Sequence, residues 1–353
     1  MSAEQPARRS ELERIFHWLD ERTGLADPLR IAARKVFPDN ASFLLGEVAL
    51  FCFVILVATG TFLTFFYVPS GQEVAYTGPY VPLDGTPTSA AFASVMRLSF
   101  EVKAGLLMRQ THHWTALLFV ASIGVHLARV FFTAAFRKPR ELNWVIGAGL
   151  LLLALGEGFT GYSLPDDLLS GTGLRIFTSV LLSVPFIGPW LANLFIGGEF
   201  PSPDLISRLF VIHVLFLPGL VIGALVVHIG LVFVQKHTQY KGRFTREDNV
   251  VGLPFWPAQT FRSLGLLFLV AAVVVLIGGL FQINPVWIYG PYIPYAVSAP
   301  AQPDWYIGWL EGALRLSLPI EPVIIGVTIP QPFVPGVVLP GLVVTALVLW
   351  PFI

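Results

Sequence analysis

Six times in 353 residues the chain runs apolar, near 43–67, 110–135, 142–163, 206–235, 262–282 and 333–351. Each run is long enough for a helix to cross a hydrocarbon core of about 30 Å. Backbone N–H and C=O groups in hydrocarbon must be satisfied within the segment that carries them, which makes runs of this length helical. The expected fold is an all-α, polytopic membrane bundle of six transmembrane helices. With 55% hydrophobic and 12% charged residues and a mean hydropathy of +0.71, a soluble domain that hides its apolar side chains is excluded. The net charge of zero does not point to nucleic acid, and the information lies in where the 22 basic residues fall.

Between the runs lie a short connection at 136–141, a medium one at 236–261 and long ones at 68–109, 164–205 and 283–332. Seven basic residues precede the first helix, three fall in 136–141 and five in 236–262, leaving only a few for each long connection. Because Lys and Arg favour the cytoplasmic side, the N-terminus and the shorter connections are expected in the cytoplasm. Residues 11–36 set Leu12, Ile15, Phe16 and Leu19 among acids and arginines, the pattern of an amphipathic helix lying on a membrane surface. The long connections mix Gly, Pro and aromatic residues, a composition suited to packing on the membrane face and lining a site. The only cysteine, Cys52, lies in an apolar run, so neither a disulfide nor a CxxCH haem attachment is available.

The second run is bounded by Arg109, His112, His126 and Arg129. Ionisable groups are costly at membrane depth and ask for a partner other than lipid. Imidazole is a common axial ligand of haem iron. At about 100° and 1.5 Å per residue, His112 and His126 lie within about 40° of one face and about 21 Å apart. His113 would sit about 140° from His126, so the spacing favours His112 and leaves its neighbour without a role. The fourth run carries His213 and His228, fifteen residues apart and about 60° out of phase. Both helices run from outside to inside, which pairs His112 with His213 near the outer surface and His126 with His228 near the inner one.

Two non-covalent b-type haems stacked across a four-helix core at 43–235 follow from that pairing. A tetrapyrrole needs clearance, and residues without side chains supply it. Gly46 and Gly60 on the first helix and Gly147 and Gly161 on the third repeat at fourteen residues, the histidine spacing of the second helix. Arg109 and Arg129, three residues from His112 and His126, would meet the haem propionates.

The whole pattern resembles the cytochrome b subunit of the cytochrome bc complexes, which are quinol:cytochrome c oxidoreductases. The resemblance rests on SFLLG to ATG in the first helix, RQTH to HLAR in the second and KPRELNWVIG to GYSLP in the third, with the paired histidines of the fourth and PDWY at Pro303 to Tyr306. SLPDDLLSGTGLR, FVQKHTQ and GLFQINPVWIYGPY are similar to the actinobacterial, menaquinol-oxidising branch. The resemblance implies a multi-pass protein of a bacterial cell membrane that oxidises menaquinol at an outer site. One electron would pass to a Rieske iron–sulphur subunit and the other across two haems to an inner quinone-reducing site, coupled to proton translocation. It implies as partners the Rieske subunit, a c-type cytochrome subunit, a dimer of complexes and a terminal cytochrome c oxidase in a supercomplex.

Residue by residue, Asp304 takes the position of the family's proton-accepting glutamate, one methylene shorter, with Tyr306 beside it. If 304–312 is helical, about 20° separates Asp304 from Glu311, and the two would form a proton exit relay. Asp20, Lys236, His237 and Arg262 lie on the inner side as candidates for the inner quinone site. The Lys-Asp pair of mitochondrial relatives reads Arg262-Ser263 here, so its carboxylate is missing. Glu47 and Glu157 are acids inside spans, without an assigned role. Leu44 stands where some relatives have a cysteine that binds a third haem, so no covalent haem is expected. The chain ends at Ile353, where mitochondrial relatives have two further helices; either it stops short or those helices are absent or on another polypeptide. The division expected is 1–42 as an N-terminal segment, 43–235 as the di-haem domain and 236–353 as a quinol-site domain.

Two other readings compete. A di-haem membrane anchor of a quinone-linked dehydrogenase or hydrogenase would share the haems but not explain PDWY or both glycine pairs. A non-haem proton-coupled transporter would use the histidines in a proton path and be colourless.

Overall fold

The computed structural model describes residues 10–235, 237–240, 244–246, 249–296 and 302–353. Among them are six helices long and apolar enough to cross a membrane: Ala41–Thr64, Gly105–Phe132, Glu141–Ser163, Leu205–Gln235, Phe255–Leu280 and Val334–Phe352. They are called here the first to sixth membrane helices, and they make the chain a multi-pass membrane protein. The second begins five residues earlier than its apolar run, because Gly105 to Gln110 are already wound into the helix above His112.

The first helix packs along the second and the third along the fourth, while the second and third join the two pairs into one four-helix core. The fifth helix lies against the first and second, and the sixth against the third. Ala49, Cys52, Phe119, Val120, Ala154, Val270 and Tyr306 form the main buried cluster where these helices meet. Most other apolar side chains of the spans face outward; only Val221 is buried along Leu217–Gln235. Such a surface is stable in lipid and not in water.

The fourth helix is interrupted by a wide π turn over Ile212–Phe216, which contains His213. Pro218 follows, and a proline inside a helix has no N–H to donate and crowds the carbonyl four residues back, here Val214. The wide turn absorbs about one residue, or about 100° of rotation. The fifteen-residue interval from His213 to His228 thereby moves from about 60° ahead of phase to about 40° behind it, the same offset as the fourteen-residue interval from His112 to His126.

The N-terminal segment forms two helices, Glu11–Thr23 and Ala26–Ala33, where one was expected. Gly24 ends the first in the left-handed conformation at φ 62°, which glycine adopts without strain. The first helix opens with a reciprocal cap between Ser10 and Glu13 and leaves Leu12, Ile15, Phe16 and Leu19 exposed. Val36–Pro38 then pairs antiparallel with Gly252–Pro254, tying this segment to the entrance of the fifth helix. This end of the bundle is termed proximal and the other distal.

The three long connections fold over the distal end. They supply the helices Ala90–Phe100, Leu168–Leu182, Gly188–Ile196 and Trp305–Leu316. Leu168 N donates to Gly290 O at 2.9 Å and Tyr292 N to Asp166 O at 3.0 Å, which joins the second long connection to the third.

Candidate functional site

Two pairs of imidazoles face each other inside the four-helix core. At the distal end the ring centroids of His112 and His213 are 6.3 Å apart with planes at 76°. At the proximal end His126 and His228 are 6.5 Å apart at 79°. Imidazole–metal bonds of about 2 Å on opposite sides of one ion bring two ring centroids to a little over 6 Å, so each gap has the width for one metal that the two imidazoles would hold.

The hydrogen bonds of the distal pair set the tautomer such a ligand needs. Thr59 donates its hydroxyl to Ile55 O at 2.7 Å, so toward His112 Nδ1, 2.9 Å away, it can only accept. Thr160 repeats this: its hydroxyl donates to Gly156 O at 2.9 Å and faces His213 Nδ1 at 3.2 Å. Glu157 Oε2 lies 2.8 Å from the same nitrogen. Acceptors on Nδ1 keep the proton there and leave the Nε2 lone pair for a metal. Glu157, an acid without an assigned role, thus orients His213.

Each of the four glycines stands against one imidazole. A Cβ added at Gly60 would lie 3.2 Å from His112 Cε1, at Gly161 2.5 Å from His213 Cε1, at Gly46 3.2 Å from His126 Cε1 and at Gly147 3.4 Å from His228 Cε1. The glycines leave room for the histidine rings, beside which a macrocycle would pass. With paired imidazoles and glycine gaps at both ends, and Nδ1 acceptors at the distal one, the residues fit a bis-histidine haem at either end; the Nδ1 atoms of His126 and His228 have no partner among the described residues.

The arginines differ in their partners. Arg109 is buried and gives both terminal nitrogens to Asn284 O at 3.2 Å, while its Nε has no partner among the described residues. Arg129 lies 4.6 Å from the ring centroid of Phe43 and lines a cavity of about 110 Å³ with His126, Arg140, His228 and His237. Burial pushes the His237 imidazole down to about 4, and Lys35, Arg129 and Arg140 push the same way. That concentration of positive charge beside His126 and His228 suits an anionic group such as a propionate.

The other inner candidates are not gathered there. Asp20 is exposed and accepts from Ala26 N at 2.8 Å, linking the two N-terminal helices. Arg262 pairs with Asp39 at 2.7 Å. Lys236 lies outside the described residues. Ser263, by contrast, donates to Glu47 Oε2 at 2.6 Å, and Gln259 donates to Glu47 Oε1 at 2.8 Å. The position read as lacking a carboxylate is therefore in contact with one supplied by the first helix.

At the distal end Asp304 immediately precedes the helix Trp305–Leu316 with φ −53° and ψ 141°, so the helical phase assumed for 304–312 begins one residue later. Its carboxylate meets His113 Nε2 at 2.9 Å and accepts from the Tyr306 hydroxyl at 3.0 Å. Glu311 pairs with Arg315 and lines a cavity of about 290 Å³ with Ile176, Ser179 and Leu314. Asp304 and Glu311 thus have separate partners. Tyr162, whose buried hydroxyl has no partner among the described residues, is within electrostatic reach of Asp304, Glu311 and Asp167.

Asp166 and Asp167 were not singled out by spacing. Asp167 is fully buried and accepts from the Ser170 hydroxyl at 2.5 Å; burial raises its carboxyl above the usual range. Burial, opposed by the Ser89 hydroxyl and aided by the Asp167 charge, raises Asp166 to about 6. Two consecutive acids in an apolar connection were the available signal.

A helical membrane bundle with two opposed histidine pairs along its core is the class of protein that fold and site define. Residues 117–291 match the family described as cytochrome b(N-terminal)/b6/petB. The chain is 48% identical over 97% of its length to the cytochrome bc1 complex cytochrome b subunit of Streptomyces coelicolor, covering 63% of that protein. It is 49% identical over 95% of its length to the same subunit of Mycobacterium tuberculosis, covering 61% of it. The chain thus spans less than two thirds of the length of these relatives. A solved structure titled "Hyperthermophilic respiratory Complex III" shares the fold, with a TM-score of 0.73 at 23% identity over 95% of this chain and 82% of that one. The chain belongs to the cytochrome b family.

Proposed function

We propose that the chain is the electron-carrying membrane subunit of a menaquinol-oxidising respiratory complex in a bacterial cell membrane. The observation that carries this reading is the two opposed imidazole pairs, 6.3 and 6.5 Å between centroids, each backed by two glycines. Two b-type haems, one at each pair, would supply one-electron transfer between an outer quinol-oxidising site and an inner quinone-reducing site. His112 and His213 hold the outer group, with Thr59, Thr160 and Glu157 fixing the rings. His126 and His228 hold the inner one. Arg109 would meet the propionates at the outer end, and Arg129 with Arg140 at the inner end.

At the outer site Asp304 accepts a proton from the quinol hydroxyl, with Tyr306 bonded to its carboxylate. Glu311, beside the 290 Å³ cavity, passes protons outward. At the inner site His237 is favoured by its position on the cavity beside His126, ahead of Asp20 and Arg262, and Lys236 is kept as a candidate. The distribution of basic residues supports a cytoplasmic N-terminus. The partners are a Rieske subunit, a c-type cytochrome subunit and a second copy of the complex, with a terminal oxidase as a further neighbour. The division into 1–42, 43–235 and 236–353 is retained as a functional one.

A di-haem anchor of a dehydrogenase would keep the histidine pairs but has no use for a carboxylate held by His113 and Tyr306. A reduced-minus-oxidised spectrum with a redox titration of the purified full-length protein should show two b centres. A colourless protein would sink the proposal.

A further inference from the structure

The second membrane helix carries adjacent histidines that point to different sites. His112 faces His213. His113 turns about 100° away, toward the connection between the fifth and sixth helices. There its Nε2 lies 2.9 Å from Oδ1 and 2.9 Å from Oδ2 of Asp304. The two side chains are only 14% and 11% exposed, so water competes little for the contact. A carboxylate can only accept, which places the proton on Nε2 of the imidazole.

The rotamer of Asp304 shows which contact decides its direction. Aspartate before a helix ordinarily turns its side chain back to the first N–H groups. Asp304 stands in that place and makes no such bond; its carboxylate goes to His113 on one side and to Tyr306 on the other. Tyr306 is itself confined, since a Cβ at Gly158 would lie 2.5 Å from its hydroxyl oxygen. Two donors still leave lone pairs on the carboxylate for a third, which is where a substrate hydroxyl would bind. Because His112 and His113 are consecutive, with Cα atoms about 3.8 Å apart, the same stretch of helix fixes both the outer histidine pair and the carboxylate.

We propose that His113 is a positioning residue for quinol oxidation: its Nε2–H clamps the Asp304 carboxylate against the second helix, in the orientation that receives the quinol hydroxyl. This rests on the reading of Asp304 as proton acceptor. A short aspartate serves here because the imidazole reaches toward it.

The test is steady-state quinol oxidation by the full-length protein in its complex, in native membranes, for His113→Leu, His113→Gln, Asp304→Asn and the double variant His113→Leu with Asp304→Asn. His113→Leu should lower kcat by about tenfold or more with KM changed less than about threefold, and both b-haem bands retained. His113→Gln, whose amide nitrogen reaches to about the place of Nε2, should recover most of the rate. The double variant should be no slower than Asp304→Asn alone, since the two groups act as a unit. Wild-type rates in His113→Leu beside a slow Asp304→Asn would overturn the clamp alone, as would multiplicative losses or a glutamine variant as slow as the leucine one. Wild-type rates in Asp304→Asn would overturn the underlying site as well. Where the leucine variant loses haem, His113→Gln against the shorter His113→Asn decides: equal rates overturn the clamp, and a faster glutamine variant supports it.

Discussion

The hydroxyl of Thr59 accepts a hydrogen bond from Nδ1 of His112 at 2.9 Å while giving its own proton to Ile55 O. One threonine on the first helix therefore sets which nitrogen of a histidine 53 residues later is free. Replacing Thr59 by Val keeps the shape and removes the acceptor. The imidazole becomes a weaker base, and the reduction potential of the outer haem should rise while that of the inner haem stays. A potentiometric titration of the b bands checks both halves of this.

Gly161 and Gly124 make a matched comparison. Gly161→Ala would put a methyl 2.5 Å from His213 Cε1, whereas nothing lies within 4 Å of a Cβ at Gly124. Overpacking of this kind costs about 1–3 kcal/mol. Gly161→Ala should lose or shift one b centre, and Gly124→Ala should retain both, as read by the difference spectrum.

The pH dependence of stability should carry the mark of Asp166. Its folded-state carboxyl is raised to about 6, above an unfolded value of about 3.9, so the folded protein binds the extra proton between them. Stability from this group is complete below about pH 4, declines as pH rises through about 6 and is level above that. Asn is tolerated at the positive φ of 53° found here. Asp166→Asn should accordingly match the parent near pH 4 and melt higher than it at pH 7 to 8, in thermal denaturation followed by circular dichroism in detergent. A constant difference across that range would count against it.

Glu47 joins the first helix to the fifth through Gln259 and Ser263. Gln259 is 3% exposed, and removing Glu47 leaves its amide only the 3.3 Å contact with Ser263, with one buried N–H unsatisfied at about 1–3 kcal/mol. Glu47→Leu should lower the melting temperature clearly, and Glu47→Gln, which keeps an oxygen there, should lower it less.

Part of this site could be read before folding because its regularities are one-dimensional. The length of each span follows from the thickness of hydrocarbon. The fourteen-residue interval of His112 to His126, and of both glycine pairs, follows from the helical repeat. The phase of His213 did not, because Pro218 opens a π turn that a uniform repeat ignores. Asp20 looked like an inner-site acid by position, yet it bridges two surface helices.

What the sequence by itself determined is the number of long apolar helices, the order in which the histidines pair along the bundle and the family. The helix supplies a ruler along its own axis, and lipid allows few alternatives. Which side chains meet across helices was decided by tertiary structure. His113 finds Asp304 191 residues away, and Ser263 finds Glu47 across 216. Such contacts depend on the rotation of each helix about its axis and on how the distal connections pack over the bundle. Only the packed bundle gives His113 the partner that spacing along one helix left open.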